Sequence, residues 1–166
     1  AVRAPAPTSC AAKATSSSGR RPVADPDRFA TPPRSGTMAA SVPDRVAELL
    51  SDARLTAYLA TSHANSPHVA PVWYRYEDGV VELTTTGRKL RDLRENPRVS
   101  IAVQRAEGGI PEWAVTLRGT ASVIEDPEAT ERARRAINRK YGADPDAYPE
   151  NTLVRVAVGS ATVREF

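Results

Sequence analysis

Residues 67–97, PHVAPVWYRYEDGVVELTTTGRKLRDLRENP, set the tightest limit on the fold. They spell two β-favouring runs around a turn signal, followed by a basic helix start. Residues 69–76 and 80–86 are rich in β-branched and aromatic side chains, and Glu77-Asp78-Gly79 between them carries the turn chemistry of an antiparallel hairpin. The second run closes on three hydroxyls, Thr84, Thr85 and Thr86, and passes through Gly87 into Arg88 and Lys89, with Leu90 and Leu93 on one side of a short helix. Hydroxyls, free backbone N–H groups and two cations meeting at a helix N-terminus make a site that favours a phosphate. The segment has neither the GxxxxGKS spacing of a nucleotide-triphosphate loop nor the GxGxxG of a dinucleotide fold.

Alternation along the first run directs Trp73 and Arg75 to one face and Tyr74 and Tyr76 to the other. Pro71 has no N–H for a ladder, which places this strand at an edge or breaks its pairing locally. An exposed Trp73 then needs a partner surface or a planar ligand.

The remaining chain supplies more strands than helices. Ser41 can cap a helix whose Val46, Leu49, Leu50 and Ala53 form one apolar stripe. Residues 55–61 read as a strand and residues 63–67 as a loop, so the first three strands can form a meander. A brief helix over residues 90–96 stops before Pro97, and residues 98–104 follow as a strand. Gly108-Gly109 marks a loop. Residues 112–125 form a long β-favouring run in which Gly119 signals a bulge or a bend. Asp126-Pro127 opens a helix with Ala129, Ala133, Ala136 and Ile137 on its apolar side, ending near Tyr141-Gly142. A Pro- and Asp-rich loop and a last strand over residues 153–163 complete the chain. Six strands with few helices predict a mainly β fold, a small antiparallel barrel with peripheral helices.

Length and composition fit one such domain: 166 residues, 40% of them hydrophobic. The charge is uneven. Of 23 basic and 20 acidic residues, residues 1–37 hold six basic and two acidic, leaving 17 against 18 for residues 38–166. The positive balance thus belongs to the tail, and a nucleic acid is disfavoured as a partner of the core. A barrel binding nucleic acid through Arg75, Arg88, Lys89 and the tail is the rival reading outside redox chemistry. Residues 1–37 are Ala-, Pro-, Ser- and Arg-rich and short of large apolar side chains, so they are expected to be disordered, with residues 38–166 as the folded domain. They have no apolar signal core, and fit either a transit-peptide composition or a start placed upstream of Met38. The lone Cys10 excludes an intrachain disulfide, a reducing cytoplasm is the expected location, and no apolar run reaches the roughly 20 residues of a membrane span.

Candidate catalytic side chains are absent from this pattern. His63 and His68 have no evident third ligand, so no metal site is expected. Glu77, Asp78 and Glu82 read as turn or surface positions. A cofactor cradle without catalytic residues fits an enzyme whose reactive group is borrowed.

The order and spacing of SPHVAPVWYRYEDG, LTTTGRKLRDLRENPRVSIAV, VTLRGTASVIED and NRKYG resemble the split-barrel flavoproteins related to pyridoxamine 5′-phosphate oxidase, including their deazaflavin (F-420) using relatives. The resemblance spans residues 42–165. It implies a six-stranded antiparallel split β-barrel forming a homodimer, with FMN or the F-420 deazaflavin at the subunit interface. It also implies an oxidoreductase that moves hydride to or from a small organic molecule, or a non-catalytic flavin-binding sensor on the same barrel. By the same resemblance Pro71, Val72 and Trp73 back the cofactor ring, Thr84, Thr85, Thr86, Arg88 and Lys89 hold its phosphate, and Gln104 or Trp113 of a second chain completes the pocket. Two departures from the family pattern stand out. Asp92 replaces an Asn common among relatives and adds negative charge about a helical turn from Lys89. The C-terminal segment with which true pyridoxamine-phosphate oxidases hold their substrate is missing, so that particular activity is not expected.

Overall fold

The computed structural model describes residues 42–166; the tail, Cys10, Met38 and the Ser41 cap lie outside them. The elements run α1 (Asp44–Ser51), β1 (Ala57–His63), β2 (Ser66–Val72), β3 (Tyr74–Glu77), β4 (Val80–Thr85), α2 (Gly87–Glu95), β5 (Arg98–Glu107), β6 (Ile110–Ile124), α3 (Pro127–Tyr141) and β7 (Thr152–Glu165). All seven strands belong to one antiparallel sheet in the order β2-β1-β5-β6-β7-β4-β3.

Seven strands replace the six expected, and the cause is a break at Trp73. The run over residues 69–76 behaves as a single strand in sequence, but Trp73 divides it into β2, which pairs with β1, and β3, which pairs with β4. These halves are opposite edges of the sheet. One residue joins the two edges, so the sheet must curl until they meet. Pro71 sits on the edge strand β2 opposite Tyr58, where a missing N–H is tolerated. The meander gives way to two hairpins, β1–β2 and β3–β4.

Three two-residue turns set the registers. Asp78 and Gly79 have φ of 46° and 78°, as the turn signal predicts, and Gly108 and Gly109 have 58° and 85°. The expected loop over residues 63–67 tightens to Ala64 and Asn65, also at positive φ (47° and 61°). Inside the curl, Leu59, Tyr74, Leu83, Ile101, Val115, Leu117 and Val156 form the core, closed by Val46 and Leu50 of α1 and Leu90 and Leu93 of α2. Ala129, Ala133, Leu153 and Ile124 make a second, smaller cluster under α3. Tyr74 and Tyr76 are buried with the core and Arg75 faces outward, as the alternation required. Glu82, read as a surface position, is instead 7% exposed. It lies in register with Arg75 on β3 and Arg155 on β7, and its carboxylate accepts from both at 2.5–3.1 Å.

Candidate functional site

The joint at Trp73 and the start of α2 face a common pocket of about 300 Å³. Pro71, Val72 and Trp73 line it from the sheet edge, Thr84, Thr85, Thr86 and Lys89 from the β4–α2 junction, and Ile137, Asn138, Tyr148 and Asn151 from α3 and the loop after it. Seven of the ten residues expected to bind a cofactor therefore meet in one place, although residues 71–73 and 84–89 come from different strands.

Local chemistry explains the junction. Thr86, the α2 N-cap residue, is extended (φ −144°, ψ −179°) and its side chain makes no capping bond, so the first-turn N–H groups of α2 have no side-chain acceptor there. Gly87 takes φ 68°, a region in which a side chain would be strained, and lets β4 turn directly into α2. The Thr85 hydroxyl is buried without a hydrogen-bond partner. Lys89 adds a positive charge at the same end. Hydroxyls, a cation and an uncapped helix start are what an anionic oxygen group needs.

The opposite end is aromatic. Trp73 stacks on Tyr141 (centroids 4.9 Å apart, 6° between planes) and meets Tyr148 edge-on (6.0 Å, 81°). The Tyr141 hydroxyl donates to the Leu55 carbonyl (2.7 Å) and accepts from the Tyr74 N–H (3.4 Å), a donor set free where the ladder breaks. Burial pushes the Tyr141 phenol above its ordinary value of 10.0, so it stays a neutral donor at physiological pH.

Arg88, Gln104 and Trp113 stand outside the pocket. Arg88 turns to the far side of α2, where Nη2 donates to Ser66 Oγ (3.1 Å) and Nε lies 3.7 Å from Asp92 Oδ2. Asp92 is itself buried and accepts from Thr61 Oγ1 at 3.0 Å. Its charge is thus answered by Arg88, away from the Lys89 side. Gln104 is exposed on β5, while Trp113 on β6 is 8% exposed and packs in its own chain's core. His63 closes β1 beside Arg88, and His68 faces Thr61 across the β1–β2 ladder. Thr56, Ile137, Asn138, Tyr148 and Asn151 are lining residues that the sequence reading missed. Asn138 and Tyr141 lie within the NRKYG signature, but Tyr148 and Asn151 come from loop composition that carries no ligand signal.

Known structures share the architecture. An F420 reductase is 24% identical over 69% of this chain and 94% of its own, with a TM-score of 0.59. A conserved hypothetical protein from Mycobacterium tuberculosis is 24% identical over 76% of this chain and 88% of its own (TM-score 0.64). The heme storage protein HutZ from Vibrio cholerae is 20% identical over 75% of this chain and 94% of its own (TM-score 0.61). At these identities the likeness is one of fold. No curated protein matches the chain significantly. Residues 42–164 match the family model of pyridoxamine 5′-phosphate oxidase, which takes in all seven strands but for the last residue of β7. The chain therefore belongs to the pyridoxamine 5′-phosphate oxidase family.

Proposed function

We propose that the pocket holds a phosphate-bearing flavin-type cofactor, FMN or alternatively the F-420 deazaflavin, and that the protein is an oxidoreductase acting on a small organic molecule. The observation that carries this reading is the meeting of an anion-favouring end at residues 84–89 with an aromatic and backbone wall at residues 71–73 in one pocket. When bound, such a cofactor supplies a ring that takes up or gives a hydride. The chain's share is positioning. Lys89, the threonine hydroxyls and the α2 N–H groups hold the phosphate, and the 71–73 backbone supports the ring. The lining residues include no carboxylate, imidazole or thiol, so orientation and exclusion of water are what this pocket contributes.

The reading includes a homodimer in the cytoplasm. Tyr58 and Val69 are 51% and 62% exposed on the outer face of β1 and β2, where they share a side with Pro71 and Ala102. Gln104 lies two residues along on the same side, and Pro71 belongs to both this face and the pocket. A second copy docked there would bring Gln104 to the cofactor, a role for which buried Trp113 is poorly placed. The same lack of a carboxylate, imidazole or thiol supports a second reading, a flavin carrier or sensor without turnover.

Absorbance titration of the purified protein with FMN, and separately with the deazaflavin, tests the proposal. Binding of either is expected, and Lys89→Ala should weaken it by about tenfold or more, the worth of a hydrogen bond to a charged group. If neither cofactor binds, the reading fails. Tight binding that no reductant or acceptor can turn over assigns the carrier role.

A further inference from the structure

We propose that Asp92 is a positioning residue that sets the charge of the pocket's anion end. Through a buried contact it keeps Arg88 on the far side of α2, so an anion at residues 84–89 meets one cation, Lys89, where the sequence offers two. The inference rests on the cofactor reading above and concerns how strongly that site holds its anion.

The two cations begin as neighbours. Gly87 opens α2, so Arg88 and Lys89 are its second and third residues and both leave the first turn, whose N–H groups have no side-chain cap. At 3.6 residues per turn, adjacent side chains point about 100° apart, and one turn can serve two faces of the helix. Lys89 lines the cofactor pocket. Arg88 instead lines a second cleft with His63, Ser66, Arg91, Asp92 and Arg94.

What holds Arg88 there is a carboxylate with little other support. The Asp92 side chain is 8% exposed and accepts one side-chain hydrogen bond, from Thr61 Oγ1 at 3.0 Å. Thr61 is itself buried on β1, so the carboxylate lies between helix and sheet, away from water. An ionised group so placed needs a compensating charge. Among the described residues Arg88 alone supplies one within ion-pair distance, from four positions earlier on the helix, with Nε 3.7 Å from Asp92 Oδ2. Ser66 fixes the guanidinium at a second point, its Oγ accepting from Nη2 at 3.1 Å. Arg88 cannot swing to the pocket without leaving the Asp92 charge buried and uncompensated.

The charge at the anion end follows. With Arg88 withdrawn, the pocket lining carries Lys89 as its one cation and no acid. Were Asp92 neutral, Arg88 would keep only its neutral contact with Ser66, and a bound phosphate would be the stronger partner for a guanidinium. Asp92 thus acts on the anion through Arg88, without lining the pocket itself.

The test is titration of the full chain with FMN, followed by absorbance at low salt and again at about 1 M salt. Asp92→Asn keeps the shape and the acceptor for Thr61 while removing the charge, Asp92→Ser removes the charge with a smaller side chain, and Arg88→Gln removes the cation. The expected result is about tenfold tighter FMN binding to Asp92→Asn and to Asp92→Ser at low salt, a gain that shrinks as salt screens it. Arg88→Gln alone should bind within twofold of wild type, and the double variant Asp92→Asn/Arg88→Gln should lose the gain. The proposal is overturned if neutralising Asp92 leaves FMN affinity unchanged or lowers it. A gain that persists in the double variant also overturns it, since the charge of Asp92 itself would then be the cause. So does a tenfold loss in Arg88→Gln alone, which would put Arg88 on the phosphate already. Calorimetric titration of the same proteins with inorganic phosphate separates the two readings. If neither FMN nor the deazaflavin binds while phosphate binds more tightly to Asp92→Asn, the cofactor reading falls and this one stands. If phosphate shows no such gain either, both fall.

Discussion

Thr85 shows in one side chain the tension between stability and binding. Its hydroxyl is buried without a partner, an arrangement that costs about 1–3 kcal/mol in a folded protein. Thr85→Val removes the hydroxyl at nearly constant volume. Denaturant unfolding of the apoprotein should show a gain of about 1 kcal/mol, while titration with FMN should show weaker binding, because Thr85 lines the end of the pocket proposed to hold the phosphate. Glu82 poses the opposite case. Burial opposes its ionisation, but hydrogen bonds and charge from Arg75 and Arg155 outweigh that and hold its carboxyl below the ordinary 4.5. A carboxyl depressed on folding stabilises above its unfolded value, and that contribution is lost as pH falls through the lower, folded value. Glu82→Gln should therefore cost about 2 kcal/mol at pH 7 and progressively less as pH falls below 4.5, as read from unfolding midpoints across pH. Glu82 was misread in sequence because polarity alone does not reveal burial. The register that sets it between Arg75 and Arg155 is a property of three strands.

Local signals carried furthest where an element's ends are written in its own residues. α3 begins and stops where the sequence says: Asp126 accepts from the N–H groups of Glu128 (2.9 Å) and Ala129 (3.3 Å), Pro127 follows, and Gly142 closes the helix at φ 75°. Gly119 was legible too. The β6–β7 register shifts at that residue, and a Cβ added there would lie 2.4 Å from the Ala157 carbonyl oxygen and 2.8 Å from Val156 Cγ1. Gly119→Ala is expected to cost about 2–3 kcal/mol in thermal or denaturant unfolding, since the nearer clash is with backbone that cannot rotate away. Two features were not legible. Ala64-Asn65 lacks the glycine that announces a tight turn, so β1 and β2 looked further apart than they are. The place of the break between β2 and β3 was the other: Pro71 signalled an edge or a local loss of pairing, but nothing in residues 69–76 showed that the run divides at Trp73 and sends its halves to opposite edges of the sheet.

At the scale of the molecule, seven of the ten residues expected to bind a cofactor gathered in one pocket because residues 71–73 and 84–89 each bear their chemistry locally and the β3–β4 hairpin brings them together. The α3–β7 wall was invisible beforehand, since its shape depends on Arg134 and Asn138 reaching back to main-chain carbonyls. The exposed apolar face around Tyr58 and Val69 carries a prediction of its own: light scattering should return twice the 17.9 kDa chain mass, and Tyr58→Glu should halve it. The joint at Trp73 has a mechanical side. The sheet is a strip whose two rims are fastened by a single residue, and that residue leans on Tyr141 and borders the pocket. A ligand pressed against residues 71–73 acts as a clasp. It grips both rims at once, so breathing motions at the two ends of the strand order, β2 and β3, are damped together although no ladder connects them.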